Sequence, residues 1–246
     1  MRVRWITLVI CSLMALGVMG GLALRAFRPR RVEVSEEEIV VLPEPRRRGA
    51  ISVEEAIWRR RSIRAYRDEA ITLNQLSQLL WAAQGITDVE RGYRAAPSAG
   101  ALYPLELYVA VGEGCVKADG AFLKAGVYHY RPRDHTLRLV LSGDLRRELA
   151  EAALGQMFIA DAPAVIVFTA VYERTTSRYG RRGIRYVHME AGHAAQNVYL
   201  QAVALDLGTV VVGAFQDRRI KEILRLDRED PLYLMPIGHP RHLDEG

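Results

Sequence analysis

The stretch from Tyr186 to Leu207 constrains this 246-residue chain more than any other. Val187, Ala191, Ala194, Val198, Ala202 and Leu205 recur at helical spacing and make one apolar face, and Gly208 ends the pattern. Tyr199 and Leu200 fall off that face. A helix that is apolar on more than one side is covered on more than one side. An intramolecular sheet or a second copy of the chain would serve. The apolar run Ala164 to Val171 just upstream reads as a buried strand.

The other elements fit around this pair. Ser52 and Glu55 form a capping-box pair that starts a helix near residue 53, and Thr72 with Gln75 repeats the signature before Leu76, Leu79, Leu80 and Ala83. Residues 86–104, with Gly92, Pro97, Gly100 and Pro104, read as loop. Leu105 to Val111 is a strand. Val127 to Tyr130 and Leu137 to Leu141 face each other across Arg131 to Asp134 as a hairpin. Leu145 to Leu154 is helical, Val210 to Val212 extended, Asp217 caps a short helix, and Leu232 to Ile237 is a strand. The order predicts an α+β fold, with helices packed on a mostly antiparallel sheet.

Charge divides the chain. The formal net charge is +5, but residues 1–48 hold nine Arg against five Glu, and residues 49–246 hold 25 basic against 24 acidic residues. The body lacks the net positive field of a general nucleic-acid binder, so no nucleic-acid partner is expected. Cys11 and Cys115 have neither disulfide-framework nor zinc spacing.

Trp5 to Leu24 is twenty residues without a charge. At about 1.5 Å per residue it matches a bilayer core. Arg2 and Arg4 precede it, and Arg25, Arg28, Arg30 and Arg31 follow. The run is longer than a signal-peptide core and ends in arginines, which favours an uncleaved anchor over a cleaved signal. The expectation is a single-pass protein of the cell membrane, its body on the cytoplasmic side. Its divisions are a transmembrane anchor over 1–24, a charged juxtamembrane linker over 25–48 and a folded domain over 49–246.

Three segments carry chemistry. Arg59-Arg60-Arg61-Ser62-Ile63-Arg64 follows a helix, and its guanidiniums can fork onto a phosphate. A solvated basic helix end explains the charge pattern equally simply. Pro97-Ser98-Ala99-Gly100-Ala101-Leu102-Tyr103-Pro104 sets small residues between prolines, where backbone can approach a flat ligand, or where an ordinary loop enters a strand. Val212-Gly213-Ala214 offers a backbone N–H at an extended-to-loop transition, or is a plain turn.

Taken in order, these segments resemble the nitroreductase-like FMN-dependent oxidoreductase superfamily, and within it the azoline (thiazole/oxazole) dehydrogenase-like, SagB-type branch. The resemblance runs from about Ser52 to Pro240 and includes Gly126-Val127-Tyr128-His129-Tyr130, Pro231-Leu232-Tyr233 and Met235-Pro236-Ile237-Gly238-His239-Pro240. It implies FMN held at a homodimer interface, with NAD(P)H as a possible electron donor and hydride carried by the flavin rather than by a catalytic side chain. By resemblance, Arg60, Arg61, Ser62 and Arg64 hold the phosphate, ribityl and pyrimidine parts. Pro97, Ser98, Ala99 and Gly100 line the isoalloxazine, and Val212, Gly213 and Ala214 present a backbone N–H to it. Many relatives have Asn where this chain has Ala101, and a basic C-terminal tail where only Arg241 is available for the phosphate.

The substrate implied is a small molecule or a peptide. Azoline dehydrogenation of a modified peptide and a non-catalytic flavin-binding scaffold are the alternatives. His188 and His193 are five apart, not the four of a helical zinc pair, so no metal site is expected. Arg174 to Arg185 reads either as a solvated arm or as a segment over the flavin that contacts an anionic substrate.

Overall fold

The computed structural model describes residues 38–241. A seven-stranded sheet forms the centre, in the order β1 (Ile39–Val41), β9 (Thr136–Ser142), β8 (Gly126–Arg131), β5 (Leu105–Val111), β10 (Ala164–Ala170), β12 (Asp230–Gly238) and β11 (Gly208–Thr209). Every adjacent pair is antiparallel. A small sheet joins β2 (Ile71–Thr72), β6 (Val116–Ala118) and β7 (Ala121–Phe122), and a ribbon pairs β3 (Ile86–Asp88) with β4 (Tyr93–Arg94).

The period-two alternation of the central strands sorts the core into two layers. Leu105, Leu107 and Val109 of β5, with Ile166 and Phe168 of β10, pack against α2 (Leu73–Gln84) and α6 (Arg182–Ala204). Ala110, Val165 and Val167 point the other way, onto α3 (Arg146–Ala152), α4 (Phe158–Asp161) and α7 (Asp217–Leu224). Helices therefore cover both faces, and α+β is the fold. Thr72 and Gln75 form the complete capping box of α2, which stabilises its start by about 1 kcal/mol. Leu76, Leu79 and Leu80 behind it are fully buried and contribute about 1.5–3 kcal/mol each.

α1 (Val53–Arg59) begins at the expected place, with Ser52 accepting the Glu55 N–H. The β8–β9 hairpin forms across residues 131–136. Some details differ. α6 starts four residues before Tyr186, because Gly183 packs its bare Cα against Thr175 backbone and α5 (Glu173–Tyr179) docks there. Arg182, Gly183 and Arg185 carry no apolar signal, and Ile184 is exposed. Asp217 is the first residue of α7 rather than its cap, which is Gln216. Residues 86–104, expected as loop, contain the β3–β4 ribbon. Ile39–Val41, inside the stretch read as a charged linker, pairs with β9, and Leu42 is buried.

The expected membrane anchor requires correction. Among the described residues no helix is long and apolar enough to cross a membrane, and Trp5–Leu24 lies outside the described residues. The transmembrane helix added to the fold class, the membrane as a partner and the cell-membrane location rested on the hydropathy of Trp5–Leu24 and its flanking arginines, and no described helix supports them.

Candidate functional site

α1 ends at Arg59, and the chain leaves it extended at Arg60. The next residues run beside β11. Ser62 pairs with Thr209 in parallel register, and the Ile63 N–H donates to the Thr209 carbonyl at 2.9 Å. Gly208 makes this approach possible: a Cβ there would lie 2.7 Å from an Ile63 methyl. Tyr66 then locks the segment. Its buried hydroxyl donates to the Ile63 carbonyl at 2.7 Å and the Pro236 carbonyl at 3.3 Å. Burial raises its pKa, so it stays a donor. Beyond β12 the chain pairs back, with Arg67 N–H to the His239 carbonyl and Arg241 N–H to the Ala65 carbonyl, both 2.9 Å.

This pairing brings Arg61, Ser62, Arg64 and Arg241 around one cavity of about 1220 Å³, which Trp58 and Leu207 also line. Their side chains are not equivalent. Arg61 folds back to donate to the Trp58 and Arg60 carbonyls at 3.0 and 2.8 Å, capping the carbonyl end of α1. Arg60 lies over the Tyr199 ring, 5.1 Å from its centre. Arg64 is exposed beside the cavity.

Tyr199 joins this cluster to the third segment. Its hydroxyl stands 3.2 Å from Ser62 Oγ and accepts the Val211 N–H at 2.8 Å. Val212 exchanges two backbone hydrogen bonds of 2.9 Å with Leu234 of β12. Gly213 and Ala214 then emerge at the surface, the Ala214 carbonyl accepting from Gln156 at 3.1 Å.

Pro97, Ser98, Ala99 and Gly100 are not in that cluster. They pack near Glu190, nine residues before Tyr199 on α6, and so roughly 14 Å away along the helix axis. Ser98 Oγ accepts the Tyr103 N–H at 2.9 Å. Gly100, Ala101 and Tyr103 all hold positive φ, of 63°, 54° and 46°. For Ala101 and Tyr103 this is a strained conformation costing on the order of 1–3 kcal/mol each. A Cβ on Gly100 would fall 2.7 Å from the Tyr179 hydroxyl and 2.9 Å from an Arg178 nitrogen. The Arg- and Tyr-rich segment read as an arm is thus helix α5 and its end, set over the small-residue loop.

Sequence reasoning missed what lies under that loop. Glu190 is 2% exposed, and its pKa is pushed up to about 7, burial being the largest cause, opposed by Ser98, Arg94 and Gln84. Arg94 donates to Gln84 Oε1 at 2.8 Å and stacks 4.5 Å from the Tyr103 ring centre. Among the described residues, Gln84 Nε2 and Glu190 Oε1 have no hydrogen-bond partner. The signal was legible: Glu190 stands three residues after Val187 and four before Ala194, on the buried face. His188, considered beside His193, is instead 2.6 Å from the Tyr172 hydroxyl.

Known proteins share this fold. The nitroreductase family profile matches residues 57–239. A Methanocaldococcus jannaschii protein, assigned to the nitroreductases by its name, is 53% identical over 188 residues, covering 76% of this chain and 91% of its own. The microcin B17-processing protein of Escherichia coli is 26% identical over 174 residues, covering 68% of this chain and 62% of that one. A crystal structure of a Ralstonia eutropha protein, titled as a nitroreductase, superposes with a TM-score of 0.73 at 31% identity, covering 89% of this chain and 97% of that chain. The chain therefore belongs to the nitroreductase family of FMN-dependent oxidoreductases, with azoline dehydrogenase-like processing proteins among its relatives.

Proposed function

We propose that the chain binds FMN between two copies of itself and passes a hydride between that flavin and an organic substrate, with NAD(P)H as electron donor. The observation that carries this reading is the cavity ringed by Arg61, Ser62, Arg64 and Arg241. Its donor set fits a phosphate monoester, because exposed guanidiniums and a hydroxyl converge there with no carboxylate but Asp206. Flavin, when bound, supplies the two-electron chemistry.

The chain's own groups do the rest. Arg64 and Arg241 neutralise the phosphate, Arg60 is held by its stack on Tyr199, and Ser62 is oriented by the same tyrosine. Gly213 and Ala214 offer exposed backbone. Pro97 to Gly100 present small side chains and backbone to the ring, with Arg178 and Tyr179 packed against Gly100. The roughly 14 Å along α6 from Glu190, beside Ser98, to Tyr199, beside Ser62, supports a shared site, completed when the loop of one copy faces the arginines of another. Val53, Ile57 and Trp58 of α1, and Ile184 and Met189 of α6, are exposed apolar side chains suited to that contact.

The test is direct. The purified protein is expected to be yellow and to release FMN, not FAD, on denaturation. A folded, colourless protein that ignores added FMN overturns the reading. The microcin-processing relative supports a second substrate reading, dehydrogenation of an azoline in a peptide, which a turnover assay on a thiazoline peptide distinguishes.

A further inference from the structure

A second cavity, of about 1090 Å³, lies away from the arginine segment of residues 59–64. It is walled by residues 44–47, the β3–β4 ribbon, the β8–β9 turn and the outer side of the strained loop at Ala101 and Tyr103. Arg47, Arg91, Arg94, Arg131 and Arg133 line it, against only Glu44 and Glu90. The local excess is three positive charges, in a body whose charges nearly balance.

These arginines differ in how far they are committed. Arg91 is paired with Asp88 at 2.9 Å, and Arg131 reaches Asp134 only at 3.9 Å. Arg94 is fixed by Gln84 and the Tyr103 ring, so it is a preoriented part of the wall rather than a mobile surface charge. Arg47 and Arg133 make no hydrogen bond or ion pair among the described residues. Trp81, half-buried, contributes an apolar wall, its indole N–H turned to the Ile86 carbonyl. A flat apolar wall beside unpaired guanidiniums suits a ligand with an apolar body and a negative group.

We propose that this recess binds a small organic anion, an aromatic or unsaturated carboxylate, beside the Ala101–Tyr103 loop. The binding of the anion does not rest on the proposed function.

Calorimetry on the full chain tests it, with 4-nitrobenzoate and its neutral counterpart 4-nitrobenzyl alcohol as probes. Titrations are run with saturating FMN, so that the phosphate clamp is filled, and again without FMN. The carboxylate is expected to bind at least tenfold more tightly than the alcohol. In the exposed double variant Arg47→Glu/Arg133→Glu, checked for folding by circular dichroism, that ratio is expected to collapse towards one. Equal affinity for both probes, an unchanged ratio in the folded variant, or binding of an acidic peptide but of neither probe overturns the proposal. If the protein ignores FMN yet discriminates the carboxylate through Arg47 and Arg133, the flavin reading fails and the anion site stands. If FMN binds and no discrimination is seen, the reverse holds.

Discussion

The Tyr199 hydroxyl sits 3.2 Å from Ser62 Oγ while accepting the Val211 N–H at 2.8 Å, so one phenol ties the arginine segment to the backbone leading into Gly213. Removing that oxygen leaves both groups to find other partners. Tyr199→Phe is expected to weaken FMN binding by about 1 kcal/mol, roughly fivefold, with a smaller loss for Ser62→Ala. Flavin fluorescence titration of both variants measures this; equal affinity in wild type and Tyr199→Phe would show that the link is structural only.

Arg64→Ala is expected to cost about 1.5–3 kcal/mol of FMN affinity if it removes a charged hydrogen bond to the phosphate. Riboflavin has no phosphate, so its affinity is expected to change far less. Arg61→Ala, by contrast, removes a cap on α1 and is expected to lower thermal stability as well as affinity. Parallel titrations with FMN and riboflavin separate the two roles.

Glu190 gives the molecule a pH dependence of definite sign. Burial raises its carboxyl from 4.5 to about 7, so between these values the folded state holds a proton that the unfolded chain has released. Its stabilising contribution is full below about pH 4.5 and is lost as pH rises through 7. The cost above pH 7 is on the order of 3 kcal/mol. Glu190→Gln, which cannot ionise, is expected to melt higher than wild type at pH 8 and nearly equally at pH 4.5. Melting curves that run parallel across this range would show that Glu190 is not buried as a neutral acid.

Gly238→Ala places a Cβ 2.8 Å from Pro163 Cδ and 2.9 Å from the Tyr66 ring. Neither neighbour is a flexible tip, so the substitution is expected to destabilise the fold by about 1–3 kcal/mol. Because Tyr66 carries the arginine segment, FMN affinity is expected to fall with it. Chemical denaturation and flavin titration of the same variant check the two effects.

Trp58 is 76% exposed at the end of α1 and also lines the arginine-ringed cavity. Trp58→Glu is expected to shift the protein towards monomer and to weaken FMN binding in proportion, because binding favours the shared dimer by mass action. Light scattering with and without FMN measures both; a monomer that binds FMN stoichiometrically would require all contacts from one chain.

Local signals found the elements well where periodicity and capping agree, as in α2 and the β8–β9 hairpin. They failed where tertiary contact alone decides. Nothing local in Ile39–Val41 distinguishes an edge strand from a linker, and only its pairing with β9 does so. The first turn of α6 buries no apolar side chain, and Gly183 there lets α5 approach. At the site, Arg60, Ser62, Arg64 and Gly213 were legible as residue types in order, and their placement around Tyr199 was not, because it depends on two segments some 140 residues apart meeting beside β11. Glu190 was legible by position, three residues after Val187 and four before Ala194, but only the packing of Arg94, Gln84 and Ser98 around it makes its burial distinctive.

The arginine segment hangs on β11, and β11 is joined to the rest of the sheet only through β12. During synthesis β12, which begins some 170 residues after Ser62, must therefore emerge before β11 and the arginine segment beside it are tied into the sheet. A nascent chain stopped before β12 would already contain every arginine from 59 to 64 and have no cradle in which to use them. On the proposed function, cofactor capture would follow the arrival of that one strand.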